Sequence, residues 1–312
     1  MIVALAGGIG ASKLLLGLSH VLDAADLTVI VNTGDDFVLH GLTICPDLDT
    51  TAYTLGGVAD LERGWGVDGD TFSALSWLRR YGREAWFQVG DRDLATHLHR
   101  TALLREGRTL AEVTDRIRRS LGVRARILPM TNALVSTIVL TDRGPTALQE
   151  YLVRDGAKPA VRGISFDGVV RSRPAPGVLE AIETCQGVIL CPSNPIISIG
   201  PILSVPGIRD ALRTTGTPVV GVSPVVGGRS LKGPTDKLLA GLGYDVSALS
   251  VARIYQDLLD LFIIDRVDAE LIPAIEALQV RVRAAAAVMG NLEAKISLAK
   301  ETISCLESLR PS

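Results

Sequence analysis

Short apolar segments alternate with helical patterns at both ends of this chain, and this alternation limits the possible folds more than any other feature. The segments are residues 2–6 and 27–31 near the start, and 187–191, 217–222 and 261–264 later. Short apolar runs bounded by turn residues are typical of strands buried on both faces. Strands separated by helices form a parallel sheet covered by helices, so an α/β fold with a mainly parallel sheet is predicted.

The middle and the end of the chain depart from this alternation. Residues 71–121 have apolar side chains at helical spacing, whereas 133–140 and 151–164 favour strands that return antiparallel to each other. Residues 279–309 are rich in Ala and Leu, which predicts a long helix. We therefore expect one domain over residues 1–312, with an inserted helical and antiparallel region at roughly 71–175 and a C-terminal helix at roughly 279–309.

Composition and charge restrict the class of partner. The chain has 312 residues, is 47% hydrophobic and 21% charged, and carries a net charge of -2. This charge gives no general attraction to nucleic acid or to an anionic membrane, so small molecules and other copies of the chain are the expected partners. The first residues lead directly into a strand, without a recognisable secretory signal or membrane span, and we expect cytoplasmic residence. Reduced packing residues are expected at the scattered cysteines Cys45, Cys185, Cys191 and Cys305.

Four carboxylates follow the second apolar segment. They are Asp35, Asp36, Asp47 and Asp49. Ligands bind outside the carboxyl ends of strands in open α/β sheets, and clustered acids at that edge suit a hard cation and a phosphorylated substrate. For a single Asp, a helix cap or a turn is the alternative interpretation.

A glycine turn follows the first apolar segment. Gly7, Gly8 and Gly10 precede a helical pattern that contains Lys13. Glycine lets the backbone approach a phosphate, and the free amides at a helix start favour an anion. The dinucleotide fingerprint and the Walker spacing are both absent, which disfavours a nicotinamide dehydrogenase and a P-loop kinase. Lys13 is a candidate phosphate contact, with a solvated helix lysine as the alternative.

Three further segments carry polar candidates. After the segment at 187–191, Ser193, Asn194 and Ser198 offer donors for a nucleobase edge or for phosphate oxygens. After 217–222, Gly227 and Gly228 offer backbone amides beside Arg229 and Lys232. Ordinary strand-to-helix loops are the alternative for both. Residues 90–99 add Asp91, Thr96 and His97 as candidates for binding a polar ligand, whereas His97 and His99 are two apart and do not form a metal pair.

Taken together, these segments resemble the 2-phospho-L-lactate transferase family, which acts in the biosynthesis of the deazaflavin coenzyme F-420. The resemblance covers a series of motifs in order along the chain. They are residues 6–10 (AGGIG), 32–36 (NTGDD), 40–42 (HGL), 45–50 (CPDLDT), 53–57 (YTLGG), 64–66 (GWG), 90–97 (GDRDLATH), 192–195 (PSNP) with 198–200 (SIG), and 232–234 (KGP).

The resemblance implies a Rossmann-like core and a magnesium-dependent transfer. A guanosine diphosphate diester of a phosphorylated three-carbon acid would react with the ribityl hydroxyl of Fo, the deazaflavin precursor, and GMP would leave. It implies Asp36 and Asp49 as catalytic and magnesium-binding residues, with Asp35 and Asp47 as alternates. The other implied substrate contacts are Thr96 and His97 for Fo, Ser193, Asn194, Gly227 and Gly228 for the guanosine phosphate, and additionally Thr50 and Met130.

Two departures from the family pattern affect the expected site. Thr131-Asn132 stands where relatives tend to have Ser-Asp, and residues 285–287 are all Ala where relatives commonly have Thr-Asp-Thr. Both leave the identity of the three-carbon acid open. A homodimer is the expected assembly.

The main alternative function is non-catalytic binding of a nucleotide sugar, as in the related gluconeogenesis factor family. That family has a Gly-Gly-Ser-Ser type of loop after its paired aspartates, where this chain has residues 37–40 (FVLH). The difference favours the transferase. A structural or scaffolding role would leave the polar loops at several strand ends unexplained.

Overall fold

The computed structural model describes residues 1–231 and 233–310, which fold around a central parallel sheet. Its strands and those of three smaller sheets are β1 (Ile2–Ala6), β2 (Leu27–Val31), β3 (Phe37–Leu39), β4 (Leu42–Ile44), β5 (Arg126–Pro129), β6 (Ser136–Thr141), β7 (Gly144–Ala147), β8 (Val161–Asp167), β9 (Val188–Leu190), β10 (Val219–Val222), β11 (Val225–Val226), β12 (Arg229–Ser230), β13 (Leu261–Asp265) and β14 (Arg281–Ala285).

The central sheet has seven strands in the order β14-β13-β10-β9-β1-β2-β5, and all neighbouring pairs are parallel. In the middle of the sheet, Val3 of β1 lies opposite Thr28 on one side and Val188 on the other. Because all seven strands run in one direction, their carboxyl ends share one edge of the sheet. The predicted α/β class with a mainly parallel, Rossmann-like sheet is confirmed.

Helices cover both faces of this sheet, and further helices lie in the inserted region. They are α1 (Gly8–Ser19), α2 (Pro46–Leu55), α3 (Ser73–Arg80), α4 (Asp91–Arg105), α5 (Leu110–Ser120), α6 (Val178–Thr184), α7 (Ile199–Ser204), α8 (Ile208–Thr214), α9 (Thr235–Gly241), α10 (Ala248–Tyr255), α11 (Ile272–Glu276) and α12 (Leu292–Ser308).

The two faces of β1 show how the core is divided. Successive side chains of a strand point to opposite faces. Val3 and Leu5 belong to a buried cluster with side chains of α6, α7, α8 and α10, whereas Ala4 and Ala6 belong to a second cluster with side chains of α1, α2 and α12. The sheet is therefore buried on both faces, as the apolar composition of its strands predicts.

The inserted region at roughly 71–175 is divided by a strand of the central sheet, which corrects the prediction of one continuous excursion. Helices α3, α4 and α5 form the first part, and the antiparallel sheet β7-β6-β8 forms the second. Between them, β5 pairs in parallel with β2 at the edge of the central sheet. The antiparallel return begins only at Val161, because Glu150–Arg154 is a π-helical turn.

The C-terminal helix begins at Leu292, so the prediction of a helix from about 279 was wrong for its first part. Arg281–Ala285 form β14 and pair in parallel with β13. Alanine-rich composition favours a helix, but here the backbone pairing available at the sheet edge decides the conformation. Asn291 then caps α12, since its Oδ1 accepts a hydrogen bond from the amide of Ala294 at 2.8 Å.

Cys45, Cys185, Cys191 and Cys305 are buried free thiols, as predicted. Across residues 1–231 and 233–310, none of the helices combines the length and hydropathy that a membrane crossing requires.

Candidate active site

A cavity of about 540 Å³ lies at the carboxyl edge of the central sheet. The loops that follow β1, β2, β9, β10 and β14 all contribute to its wall, together with α2 and α4. Many of the residues singled out in the sequence meet there. The predicted site residues that line the cavity are Gly7, Gly8, Gly10, Lys13, Asp35, Asp47, Asp49, Thr50, His97, Ser193, Asn194 and Ser198.

The glycine turn after β1 is packed closely against other parts of the wall. A Cβ atom on Gly7 would lie 2.7 Å from Oδ2 of Asp47, and one on Gly10 would lie 2.1 Å from the carbonyl oxygen of Pro192. Gly8 has a φ of 68°, in the left-handed region that favours glycine. Its amide donates a hydrogen bond to Asp47. A phosphate that binds at this turn would therefore meet the carboxylate of Asp47 as well as the first amides of α1.

Asp35 and Asp47 form one group of acids, which we call the amide-held pair. Nδ2 of Asn32 donates to Oδ2 of Asp47 at 2.9 Å and to Oδ1 of Asp35 at 3.4 Å. Nε2 of Gln149, from the inserted region, donates to Oδ2 of Asp35 at 2.9 Å. Burial raises the pKa of Asp47 to about 6, and burial together with the charge of Asp47 raises the pKa of Asp35 well above its usual range. The pair is therefore suited to accept a proton.

Asp49, Asp93, His97 and Arg100 form a second group, which we call the arginine-held group. Arg100 is only 2% exposed and contacts both carboxylate oxygens of Asp49, with its Nη1 3.0 Å from Oδ2. Burial raises the pKa of Asp49, while the positive charge of Arg100 opposes that rise. The charge of Asp49 is thus balanced inside the protein.

His97 lies between the two carboxylates of the arginine-held group. Nη1 of Arg100 is 3.2 Å from Nδ1 of His97, and because a guanidinium only donates, Nδ1 accepts and the ring proton lies on Nε2. Nε2 is 3.3 Å from Oδ2 of Asp93. It is buried and makes no well-directed hydrogen bond to the residues that the structure describes. The hydroxyl of Tyr53 donates to Oδ1 of Asp93 at 2.8 Å, which fixes that carboxylate.

The arginine-held group contains a set of ligand atoms that fits a divalent cation. Asp49, Asp93 and His97 each offer one ligand atom, and these atoms lie within 4.8 Å of one another. Carboxylate oxygens are typical ligands of Mg²⁺ and Mn²⁺, and an imidazole nitrogen is more usual with transition-metal ions. Because Nε2 carries the ring proton, Nδ1 would be the ligand atom of His97, in exchange for its contact with Arg100.

Asp36, predicted as catalytic and metal-binding, is not among the residues that line the cavity. The amide of Asp36 donates a hydrogen bond to the carbonyl of Thr33 and closes a turn. The carboxyl of Asp36 forms a hydrogen bond with the thiol of Cys45. Its Oδ1 is buried and unpartnered among the described residues, and burial raises its pKa well above the usual range. This placement favours Asp93 over Asp36 as the companion of Asp49.

Three other predicted binding residues lie behind or beside the wall. Asp91 accepts hydrogen bonds from the amides of Ser73 at 3.0 Å and Ala74 at 2.9 Å, and so caps α3. Thr96 forms a hydrogen bond with the Tyr53 hydroxyl. Met130 is fully buried in the core cluster on one face of the sheet.

Gly227 and Gly228 form the turn of the hairpin β11–β12 rather than part of the cavity wall. Both have positive φ, and the amide of Gly227 donates to the carboxylate of Asp268 at 3.0 and 3.1 Å. Lys232, which the sequence offered as a positive charge beside these glycines, lies outside the described residues.

The sequence interpretation missed Asp93, Arg100 and Gln149. Asp93 and His97 are four residues apart and Arg100 is three further on, so all three share one face of α4. That spacing was a usable signal. Gln149 had none, because its contact with Asp35 joins residues 114 positions apart.

Comparison with known proteins gives relatives over nearly the whole chain. A model of the family described as 2-phospho-L-lactate transferase CofD matches residues 2–299. A phosphoenolpyruvate transferase of Streptomyces griseus subsp. griseus is 44% identical over 315 residues, covering 99% of this chain and 99% of that protein. A 2-phospho-L-lactate transferase of Methanothermobacter thermautotrophicus is 43% identical over 300 residues, covering 96% of each.

Among solved structures, a member of the UPF0052 family from Bacillus halodurans matches with a TM-score of 0.66. The match covers 97% of this chain and 98% of that chain, at 16% sequence identity. At this identity the likeness shows a shared fold.

Proposed function

This chain belongs to the CofD family of 2-phospho-L-lactate transferases, and from that premise we propose the reaction that it catalyses. A phosphorylated three-carbon acid is transferred from its guanosine diphosphate diester to the terminal ribityl hydroxyl of Fo, and GMP is released, in the biosynthesis of coenzyme F-420. The convergence of both acid groups, the glycine turn and the loop after β9 on one cavity is the observation that supports this proposal.

The charges on the cavity wall support a requirement for magnesium. Four carboxylates line the cavity, from Asp35, Asp47, Asp49 and Asp93, and the described lining residues include a single lysine, Lys13. The diphosphate and carboxylate of the donor would add further negative charge. Asp49, Asp93 and His97 would hold the cation, which would neutralise charge on the diphosphate and on the departing GMP.

The amide-held pair is proposed to receive the proton of the attacking hydroxyl. The hydroxyl oxygen forms a bond to the phosphorus that carries the three-carbon acid, and the bond from that phosphorus to the oxygen of GMP breaks. The proton passes to Asp47 or Asp35, because burial makes both carboxylates better proton acceptors than an exposed Asp. Asp49 is less suited, since Arg100 stabilises its charged form.

Mass spectrometry of reaction products tests this function directly. Purified protein is incubated with Fo, magnesium and one donor, in which the acid is 2-phospholactate, phosphoenolpyruvate or 3-phosphoglycerate. We expect GMP and a phosphodiester of Fo from at least one donor. The relatives of 44% and 43% identity carry different acids in their names, so these two donors are compared at equal concentration. No product from any donor, together with tight binding of a nucleotide sugar, would instead support the non-catalytic alternative.

Cytoplasmic residence and a homodimer are further proposals. Sedimentation equilibrium of the purified protein tests the second, with a mass of twice 33.1 kDa as the expected result.

A further inference from the structure

The motif at residues 64–66 places a tryptophan on the cavity wall, and the reaction described above gives it no role. Trp65 and Gly66 line the cavity from the loop that joins α2 to α3. Gly64 and Gly66 have φ values of 82° and 74°, so the loop turns sharply on both sides of Trp65. A Cβ atom on Gly64 would lie 3.0 Å from Cγ2 of Ile9, which shows that the tip of the loop packs on the first turn of α1.

Arg63 fixes the orientation of the Trp65 ring. Its guanidinium carbon is 5.2 Å from the centroid of Trp65 and 5.3 Å from that of Phe72. The two rings meet edge to face at 6.4 Å and 68°. Nε of Arg63 is 2.6 Å from Oδ2 of Asp60, and its Nη2 donates to the carbonyl of Val67 at 3.2 Å. The indole is thus held by cation–π and aromatic contacts within its own loop.

The aromatic side chains of the cavity lie toward one end of it. The chain has 13 aromatic residues in total, counting 5 Phe, 3 Trp and 5 Tyr. Those that line the cavity, within residues 1–231 and 233–310, are Tyr53, Trp65 and Phe87. All three come from the chain between β2 and β5, at one edge of the sheet. The loop after β14, at the opposite edge, contributes residues 287–290 (AVMG), none of which is aromatic.

We propose that Trp65 stacks on the flat ring of the deazaflavin acceptor, and that Arg63 is a positioning residue for Trp65. The proposal rests on the proposed function, because that function supplies the acceptor. An indole fixed at the wall presents a flat apolar surface at little cost in side-chain entropy, and such surfaces bind planar heteroaromatic rings. The acceptor ring then occupies the aromatic end, and the guanosine diphosphate lies toward the loops after β9 and β10.

Titration calorimetry with Fo, using Trp65→Leu and Trp77→Leu, tests the stacking. Trp77 is the matched control, because it lies on α3, is 50% exposed and is not part of the wall. We expect Trp65→Leu to raise the Kd for Fo about 10-fold, the size of effect measured for stacking contacts. Trp65→Phe should recover part of the loss, and Trp77→Leu should bind like wild type.

Steady-state kinetics separates stacking from a general structural role. Trp65→Leu and Arg63→Met should raise KM for Fo, while kcat at saturating Fo and KM for the donor remain near the wild-type values. Equal Kd values for wild type and Trp65→Leu would overturn the stacking role while leaving the proposed function intact. Failure of the wild-type protein to bind Fo would overturn the proposed acceptor itself, and the assignment of Trp65 to that ring with it.

Discussion

The two acid groups of the cavity are made of the same residue type but are stabilised in opposite ways. Neutral amides of Asn32 and Gln149 hold the pair Asp35 and Asp47, whereas the buried cation Arg100 holds Asp49. Amides satisfy hydrogen bonds without neutralising charge, so burial leaves the amide-held pair ready to bind a proton. A guanidinium neutralises charge, so Arg100 opposes the rise that burial causes in the pKa of Asp49.

This difference is the basis of the different tasks proposed for the two groups in one cavity. A carboxylate that accepts protons readily is suited to take the proton of the attacking hydroxyl, and a carboxylate whose charged form is stabilised by a guanidinium is suited to hold a cation. Variants of the two groups should therefore differ in which property changes, as well as in the size of the change. The predictions that follow are ordered by expected effect.

Arg100→Met should produce the largest loss of stability. It leaves the carboxylate of Asp49 buried without its counter-charge, and breaking a buried ion pair costs about 3–5 kcal/mol. Urea denaturation gives the free energy of unfolding. The control is Arg119→Met, because the exposed Arg119 pairs with the part-exposed Asp115 at 2.8 Å and the variant should lose about 1 kcal/mol or less. Adding Asp49→Asn to Arg100→Met should restore part of the stability. Equal losses in the two single variants would show that Arg100 does not neutralise a buried charge.

Stability should fall as pH rises across the range in which Asp47 loses its proton. Burial raises the pKa of Asp47 from 3.8 to about 6 in the folded protein. Between pH 4 and pH 6 the folded state therefore binds more protons than the unfolded state, and the free energy of unfolding decreases with pH, by about 3 kcal/mol in total. Urea denaturation at pH 4.5–7.5 with a chelator present measures the slope. Asp47→Asn should flatten it, and an unchanged slope in that variant would remove Asp47 as its source.

Asp49→Asn should reduce turnover at least about 100-fold while the protein remains folded, because it removes a carboxylate that would hold the cation which neutralises the developing phosphate charge. Circular dichroism checks the fold, and the magnesium dependence of the residual rate separates the two groups. Asp49→Asn and Asp93→Asn should raise the magnesium concentration needed for half-maximal rate. Asp35→Asn should lower the rate with little change in that concentration. The opposite pattern would exchange the tasks of the two groups.

What the sequence predicted of this site, and what it did not, follows from the distance along the chain between the interacting residues. Asp35, Asp47 and Asp49 could be placed at the sheet edge because they follow a recognisable strand. Asp36 follows the same strand, but a local turn directs it toward Cys45, and no pattern reports the direction of a turn. Gln149 reaches Asp35 from the antiparallel insertion, and such a contact is a property of the folded chain. The strand at Arg281–Ala285 was missed for the same reason, since only the neighbouring β13 makes it a strand.

Gln149→Leu should give the smallest effect and the most specific one. The variant removes the hydrogen bond to Oδ2 of Asp35, which favours the charged carboxylate, so the pKa of Asp35 should rise further. A charge-assisted hydrogen bond contributes about 1.5–3 kcal/mol, and we expect roughly a tenfold loss of kcat/KM near neutral pH. The acidic limb of the rate profile should move to higher pH, because a higher pH is then needed to ionise the pair.

Two further variants serve as controls for this prediction. Gln149→Glu should move the acidic limb further in the same direction, since a third carboxylate disfavours ionisation of its neighbours. Asp49→Asn should lower the whole profile without moving that limb. A limb that stays in place in Gln149→Leu would show that the amide-held pair does not receive the proton.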